Sequence, residues 1–329
     1  NGINRVLPGE TLVIKGGRII KRVHMPSLPF KSLSASTLSD AISEFERLFV
    51  ESVDIHQRSD VPYGMFLSGG IDSSALLAMM QRLNRQPICA FTLGFNDAVT
   101  CDEREHARTV AKVTGADHIE VPFNEQDFWD LLPAVARAVD DPTSDYAVLP
   151  TFKLARAAKD ADLKVVLSGE GGDEIFAGYS RYRRAARSRL FGGRPMRAVG
   201  KLDGLGLLRS SRSHWRKLIT EREDALQSNL TKLQKAQAVD CAYWLPNDLL
   251  TKLDRCLMAH GVEGRVPFLD LTLAKFAFCL PDFLKVNKGQ GKWLVRNWLA
   301  MALPESQPFS KKRGFTVPVE QWIGSRSRE

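Results

Sequence analysis

Between residues 38 and 57 the stretch LSDAISEFERLFVESVDIHQ repeats apolar residues at helical spacing, and VPYGMFL, bounded by Pro62 and Ser68, then reads as a buried strand. ALLAMMQRL returns to helix. PICAFTLGF and LKVVLSG are further apolar runs of strand length, separated by the helical stretches EREHARTVAKVTG, FWDLLPAVARAV and YAVLPTFKLARAA. Short apolar strands alternating with helices predict an α/β fold, a parallel sheet covered on both faces. Beyond residue 180 strand signals fade, while QKAQAVDCAYW, DLLTKLDRCLMA, LTLAKFAFCL and KWLVRNWLAMAL look helical. The C-terminal portion is therefore expected to be mainly helical and to pack on the sheet. No fixed-period repeat or low-complexity segment interrupts this pattern.

Residues 1 to 25 alternate β-branched and polar residues around Pro8-Gly9 and Gly16-Gly17, which predicts short strands joined by tight turns. Such a piece is too small to bury a core of its own. MPSLPFKSLSAS follows as a linker ending in a helix N-cap at Ser36, Thr37 or Ser39. These features divide the chain into a segment at 1–35 and a main domain at 36–329.

Composition changes this picture little. The 329 residues are 44% hydrophobic and 26% charged, close to the globular average and away from disorder or a disulfide scaffold. Cys89, Cys101, Cys241, Cys256 and Cys279 form no C-x-x-C pair, which disfavours a zinc ribbon or redox dithiol and suits a reducing cytoplasm. No apolar run approaches the roughly 20 residues that span a bilayer, and no signal peptide is evident. A cytoplasmic location without membrane attachment is expected. The formal charge of +8 raises nucleic acid as a partner, but a phosphate-bearing substrate suits it equally. Much of the excess falls between Arg181 and Arg216, a run that reads first as a solvated helix face. His260, like the other histidines, lacks a metal-ligand spacing and is read as structural.

The chemistry concentrates in two glycine-rich segments. Ser68-Gly69-Gly70-Ile71-Asp72-Ser73-Ser74 lies between a predicted strand and a predicted helix. Glycines let backbone N–H groups close around a phosphate, serines add hydroxyl donors, and the helix directs its positive end at the anion. Asp72 would repel a phosphate unless a cation lay between them, and magnesium resolves this. A tight turn with a serine cap would explain the glycines and serines but not the central acid. The second segment, Leu167-Ser168-Gly169-Glu170-Gly171-Gly172-Asp173-Glu174-Ile175-Phe176-Ala177-Gly178-Tyr179, follows another predicted strand. Ligands of open parallel sheets sit at such C-terminal strand ends, and clustered carboxylates need a cation or donor-rich ligand.

The first segment resembles the signature of the PP-loop ATP pyrophosphatases (adenine nucleotide α-hydrolase-like), which cleave ATP between the α and β phosphates. It lacks the lysine of a kinase-type phosphate loop. Together with LSGEGGDEIFAGY and His260-Gly261-Val262-Glu263-Gly264-Arg265-Val266-Pro267-Phe268-Leu269-Asp270, it resembles the synthetase domain of the glutamine-dependent (class B) asparagine synthetases. The third segment reads as scaffold, with Glu263 and Arg265 expected to be a buried pair. The resemblance runs from about residue 38 to the end, and the LPGE-containing opening looks like the last strands of that family's glutaminase domain.

By that resemblance the cofactors are ATP and Mg2+. Ser68, Gly69, Gly70, Asp72 and Ser73 would contact phosphates, and Leu67, Leu93, Ser168 and Gly169 would complete the nucleotide pocket. Asp72 and Asp173 would share magnesium. Glu170 would lie beside aspartate and ammonia, and Lys312, with Lys311 as its competitor, would stabilise charge on the reacting groups. The implied reaction activates aspartate as β-aspartyl-AMP and transfers ammonia to it, giving asparagine. Ammonia would come from glutamine through a glutaminase domain that this stretch lacks, so the chain is expected to use free ammonia but not glutamine. Gly172 and Gly264 depart from the larger side chains often found there, which leaves the acceptor open. A sugar acid, a peptide-like carboxylate or β-lactam closure keep the same adenylation chemistry; an RNA-modifying PP-loop enzyme and a binding protein without catalysis are more distant readings. A homodimer is compatible with the sequence.

Overall fold

The computed structural model describes residues 5–25, 37–95, 103–140, 145–188, 229–310 and 317–326, with single positions 28, 143, 190, 192, 193, 196, 219, 221, 223, 224 and 226. Strands β1 (Glu10–Lys15) and β2 (Arg18–His24) form an antiparallel hairpin. Its turn falls at Gly16 and Gly17, both at positive φ (56° and 72°), a conformation that side chains with a Cβ adopt poorly. As the sequence implies, the hairpin buries little, and its apolar residues, among them Ile14 and Ile20, remain exposed.

Helix α1 (Leu38–Gln57) begins where the linker was expected to end. Thr37 caps it, accepting from Asp40 N at 3.1 Å while its own N–H donates to the Asp40 carboxylate at 3.3 Å. Ala41, Phe45, Leu48, Phe49, Ser52 and Val53 form its buried stripe. There follow β3 (Tyr63–Phe66), α2 (Ile71–Leu83), β4 (Cys89–Phe95), α3 (Arg104–Thr114), β5 (Asp117–Phe123), α4 (Glu125–Val139), α5 (Val148–Asp160), β6 (Val165–Leu167), α6 (Gly172–Ile175) and α7 (Ser180–Ala186). Helix α8 (Lys232–Val239) runs into a π-helix (Asp240–Leu249) and then α9 (Leu250–Met258), β7 (Glu263–Arg265), α10 (Leu271–Cys279), α11 (Asp282–Lys285), α12 (Trp293–Ala302) and α13 (Val319–Arg326).

The main sheet is parallel with order β5-β4-β3-β6-β7. Chain order runs outward through β4 and β5 on one side of β3 and through β6 and β7 on the other. The direction of winding therefore reverses between β3 and β6, whose C-terminal ends open the crevice in which ligands of such sheets bind.

Two strands of this sheet were not anticipated from sequence. β5 is an edge strand in which Asp117, His118 and Glu120 interrupt the apolar residues and which contains Pro122, so it lacks a continuous apolar run. β7 has only three residues with Gly264 at its centre; a Cβ there would approach Leu257 Cδ1 to 2.6 Å. Because β7 is the opposite edge, the Glu263–Arg265 pair forms (2.8 Å) but is not buried as expected, with side chains 57% and 21% exposed. The predicted helix through QKAQAVDCAYW is also revised: after α8 the chain widens into the π-helix, which accommodates Pro246 and its missing N–H.

The core that supports the crevice is aromatic. Phe45 and Phe49 stack at 5.2 Å, Phe49 stacks on Phe268 at 4.9 Å, and Phe176 and Trp298 meet Phe45 edge-on at 5.4 and 5.6 Å. Phe176 directly follows α6 within the acidic segment, so this cluster pins one wall of the site. A second support comes from below: Gln237 donates to the carbonyls of Glu174 and Ile175 (2.8 Å each) and accepts from buried Lys285 at 2.9 Å. Lys285 also donates to Phe278 O at 2.6 Å.

Phe49→Ala is expected to cost about 3–5 kcal/mol in urea denaturation, whereas Ile14→Ser in the hairpin stays within about 0.5 kcal/mol. Burial, opposed by Asp282, Cys279 and Cys241, lowers the Lys285 ammonium from the ordinary 10.5 to about 8. Between those values the unfolded chain holds a proton that the folded chain has released, so stability rises with pH there. The difference in urea midpoint between wild type and Lys285→Met should thus move in favour of wild type on going from pH 8 to pH 10, and a pH-independent difference would contradict the assignment.

Candidate active site

The phosphate-loop candidate leaves β3 and enters α2. Gly69 lies at φ 71°, which turns the chain sharply, and Gly70 begins the helix. Ser73 Oγ accepts from Ser68 N at 3.2 Å and lies 3.0 Å from Ser68 Oγ, while Ser68 Oγ accepts from Gly70 N at 3.2 Å. The serines thus brace the turn. The first N–H groups of α2 have no acceptor within the helix and face the crevice with the positive end of its dipole.

The acidic loop leaves β6 beside it. Ser168 N donates to Arg265 O at 2.8 Å, which carries the sheet ladder one step beyond β6. Gly171, at φ 89°, turns the chain into α6. The two loops then meet backbone to backbone: a Cβ on Gly169 would lie 2.9 Å from Asp72 Cβ and 3.1 Å from Ser73 N, and one on Gly172 would lie 2.5 Å from Asp72 Oδ1. The small residue at 172, read from sequence as a mild departure, is here a spatial requirement of the Asp72 rotamer.

All of Leu67, Ser68, Gly69, Gly70, Asp72, Ser73, Leu93, Ser168, Gly169, Glu170 and Asp173 line a single cleft of about 570 Å³. Leu67 and Leu93 supply its apolar wall, and the Leu67 carbonyl is fixed by Thr92 Oγ1 at 2.7 Å, itself in contact with His118 Nε2 at 2.8 Å. Lys311 and Lys312 lie outside the described residues.

Another lysine occupies the centre. Lys292 Nζ donates to Asp72 and lies 2.7 Å from Asp173 Oδ1, with its side chain 5% exposed. Burial opposes its charge, but Asp173 and Asp72 outweigh that and hold the ammonium well above the ordinary lysine value. Its backbone is left-handed (φ 57°), as is that of Ala177 (φ 57°), and Lys292 N donates to Phe176 O at 3.0 Å. Strained backbone of this kind persists only where its surroundings enforce it. Arg296, one turn further along α12, lines the same end of the cleft and donates to Gly291 O at 2.8 Å and to Pro308 O.

At the other end, Lys252 Nζ lies 2.8 Å from Asp145 Oδ2 and 3.3 Å from Glu170 Oε1. Glu174 forms part of the cleft floor, where burial and then Asp173 and Glu170 push its carboxyl up to about 8. Arg181, the start of the basic run read as a solvated face, instead pairs with buried Asp240 at 2.7 Å and stacks 3.8 Å above the Tyr179 ring. Most of the remaining run lies outside the described residues. His260 packs against the Phe152 ring at 4.4 Å, in keeping with a structural histidine.

Lys292, Lys252, Asp145 and Arg296 were not singled out from sequence. Lys292 did carry a signal, a cation following Gly289-Gln290-Gly291 at the start of a helix, where the dipole disfavours positive charge. Lys252 falls in the apolar stripe of Leu249, Leu253, Cys256 and Leu257, where a charge is out of place unless paired.

With this winding and this loop pair, the molecule is a nucleotide-binding α/β domain of the PP-loop class. Within that class it belongs to the asparagine synthase family: the Asparagine synthase family model matches residues 44–329. The chain is similar to asparagine synthetase [glutamine-hydrolyzing] 1 of Bacillus subtilis, with 29% identity over 99% of this chain and 57% of that protein. It is also similar to a putative asparagine synthetase [glutamine-hydrolyzing] of Mycobacterium tuberculosis (31%; 93% and 52%) and to asparagine synthetase B [glutamine-hydrolyzing] of Escherichia coli (26%; 85% and 46%). The chain spans about half the length of these curated relatives. Among solved structures, NMN synthetase from Francisella tularensis aligns at TM-score 0.31 and 13% identity over 86% of this chain and 99% of that one, too distant a likeness to carry an argument. Among the described residues no helix is long and apolar enough to cross a membrane.

Gly169→Ala should separate the two loops. ATP affinity by calorimetry is expected to fall at least about tenfold while the melting temperature shifts by only a few degrees. Unchanged affinity would show that the loops need not touch.

Proposed function

We propose that this chain is an ATP- and magnesium-dependent ligase that adenylates the β-carboxylate of aspartate and passes the acyl group to ammonia, giving asparagine. The observation that carries this reading is the convergence of Asp72 and Asp173, from two different loops, on one buried ammonium, with Glu170 in the same cleft.

Two carboxylates that approach one cationic atom also fit a divalent cation. Among the described residues no group of three or more His, Cys, Asp or Glu could form a metal cage. Magnesium needs none, because it is commonly held by one or two carboxylates together with substrate phosphates and water. Bound by Asp72 and Asp173, it would neutralise phosphate charge.

In the first half-reaction an aspartate oxygen attacks the α phosphorus, the bond to the bridging oxygen breaks, and pyrophosphate leaves with the electron pair. The braced loop and the α2 N-terminus orient the phosphates, and Lys292 stabilises negative charge as it grows on the departing groups. Lys312, expected in the same role, lies outside the described residues. In the second half-reaction the ammonia lone pair forms the C–N bond, a proton passes from nitrogen to the Glu170 carboxylate, and the acyl C–O bond breaks to release AMP. Glutamine hydrolysis, which the relatives' names attach to them, would supply the ammonia.

The test is pyrophosphate release from ATP and magnesium with aspartate and ammonium chloride. We expect release that requires aspartate, asparagine and AMP in equal amounts, and a loss of about 100-fold or more in Asp72→Asn. Release that ignores aspartate but needs Asp72 would assign another carboxylate as acceptor. No release with any carboxylate would reject the ligase reading.

A further inference from the structure

Lys252 emerges from the buried stripe of α9 into the cleft with only 6% of its side chain exposed. Burial opposes its charge, but Glu170 and Asp145 outweigh that and hold it well above the ordinary lysine value. The two acids are held very differently. Asp145 Oδ1 accepts from Ala147 N at 2.9 Å, its Oδ2 receives Lys252, and its own N–H donates to Thr143 Oγ1 at 3.2 Å. Thr143 Oγ1 in turn donates to Asp248 of the π-helix at 3.0 Å. Asp145 is thus anchored at both oxygens before any ligand enters. Glu170 follows a glycine and precedes another, and its contact with Lys252 is the longer one.

The two cleft lysines therefore have different prospects. The carboxylates around Lys292 are those that fit a divalent cation, so its partners change when nucleotide and metal enter. Asp145 lies on a separate segment and keeps Lys252 in place throughout. With two acids around it, Lys252 has no net positive charge to offer a phosphate or carboxylate. What it can do is fix the carboxylate of Glu170, which would otherwise have to find its orientation anew in each turnover.

We propose that Lys252, anchored by Asp145, is a positioning residue for the second half-reaction, holding the Glu170 carboxylate where it takes the proton released as the C–N bond forms. The proposal rests on the ligase reading given above. A purely structural pair tying the start of α5 to α9 would behave otherwise. Removing its lysine alone would leave partly buried carboxylates without their counter-charge, lowering stability and both half-reactions together.

The test compares aspartate-dependent pyrophosphate–ATP exchange, which reports adenylation, with asparagine formation from ammonium chloride. Wild type, Lys252→Met, Lys252→Arg, Glu170→Gln and the Lys252→Met/Glu170→Gln double variant are measured in the full chain. The ratio of asparagine formed to pyrophosphate exchanged is expected to fall about 100-fold in Lys252→Met and in Glu170→Gln, the size of a lost proton-transfer contribution. Because Lys252 acts through Glu170, the double variant should fall no further than about threefold below Glu170→Gln. Lys252→Arg should recover about tenfold over Lys252→Met. If Lys252→Met does not fold, Asp145→Asn decides by the same ratio, which should drop as the anchor is lost. An unchanged ratio, or losses that multiply in the double variant, would overturn the positioning role alone. A wild type without exchange toward any carboxylate would overturn the ligase reading and this proposal with it.

Discussion

Neighbouring strands of a sheet lie about 4.8 Å apart, so loops leaving β3 and β6 at the same end compete for one small volume. The absence of a Cβ at Gly169 is what lets them share it, backbone against backbone. The chemistry at the phosphate-loop end of the cleft follows from that approach. It brings Asp72 and Asp173, 101 positions apart by number (173 less 72), within reach of the same nitrogen. Two carboxylates so close repel each other, and the Lys292 ammonium offsets that repulsion.

Such an arrangement strains the chain, and the surrounding packing holds it. Left-handed backbone at Ala177 and Lys292 costs on the order of 1–3 kcal/mol at each position. Opposing this, Phe176 is buried in the aromatic cluster with Phe45, Phe268 and Trp298, and Trp298 sits on the same helix that Lys292 precedes. Both ends of the strained contact are thus tied to one core. Gln237 adds fixed hydrogen bonds beneath the acidic loop, so the loop is held from two sides.

Sequence made the sheet's interior legible because β3, β4 and β6 are apolar runs bounded by turn residues. It made the glycine-rich loops legible because their chemistry is local in the chain. The edge strands β5 and β7 escaped notice for a physical reason: an edge needs only one apolar face or none, and Pro122 and Gly264 dilute the pattern further. The π-helix escaped because its ten residues bury only Leu245 and Leu249 as apolar side chains, too few to define a period. The lysines were hardest. Their roles depend on which acids they meet, and Lys252 meets one 107 positions earlier in the chain. Only the phase of Lys252 within an apolar stripe, and the placement of Lys292 at a helix start, hinted at buried ion pairs.

Electrostatics within the cleft also differ from what the net charge of +8 suggests. Lys292 lies between two carboxylates at the phosphate-loop end, and Lys252 between two at the other. Each trio carries one net negative charge when its acids are ionised, so the basic surplus resides elsewhere on the molecule. A cleft of that character disfavours bare phosphate and favours phosphate accompanied by a divalent cation, for which Asp72 and Asp173 would be ligands instead of repulsive neighbours. On the proposed reading, Lys292 would then be released toward the nucleotide, while Lys252 would stay with Asp145. The same motif of one lysine between two acids would thus serve as a switchable cation at one end of the cleft and as a fixed brace at the other.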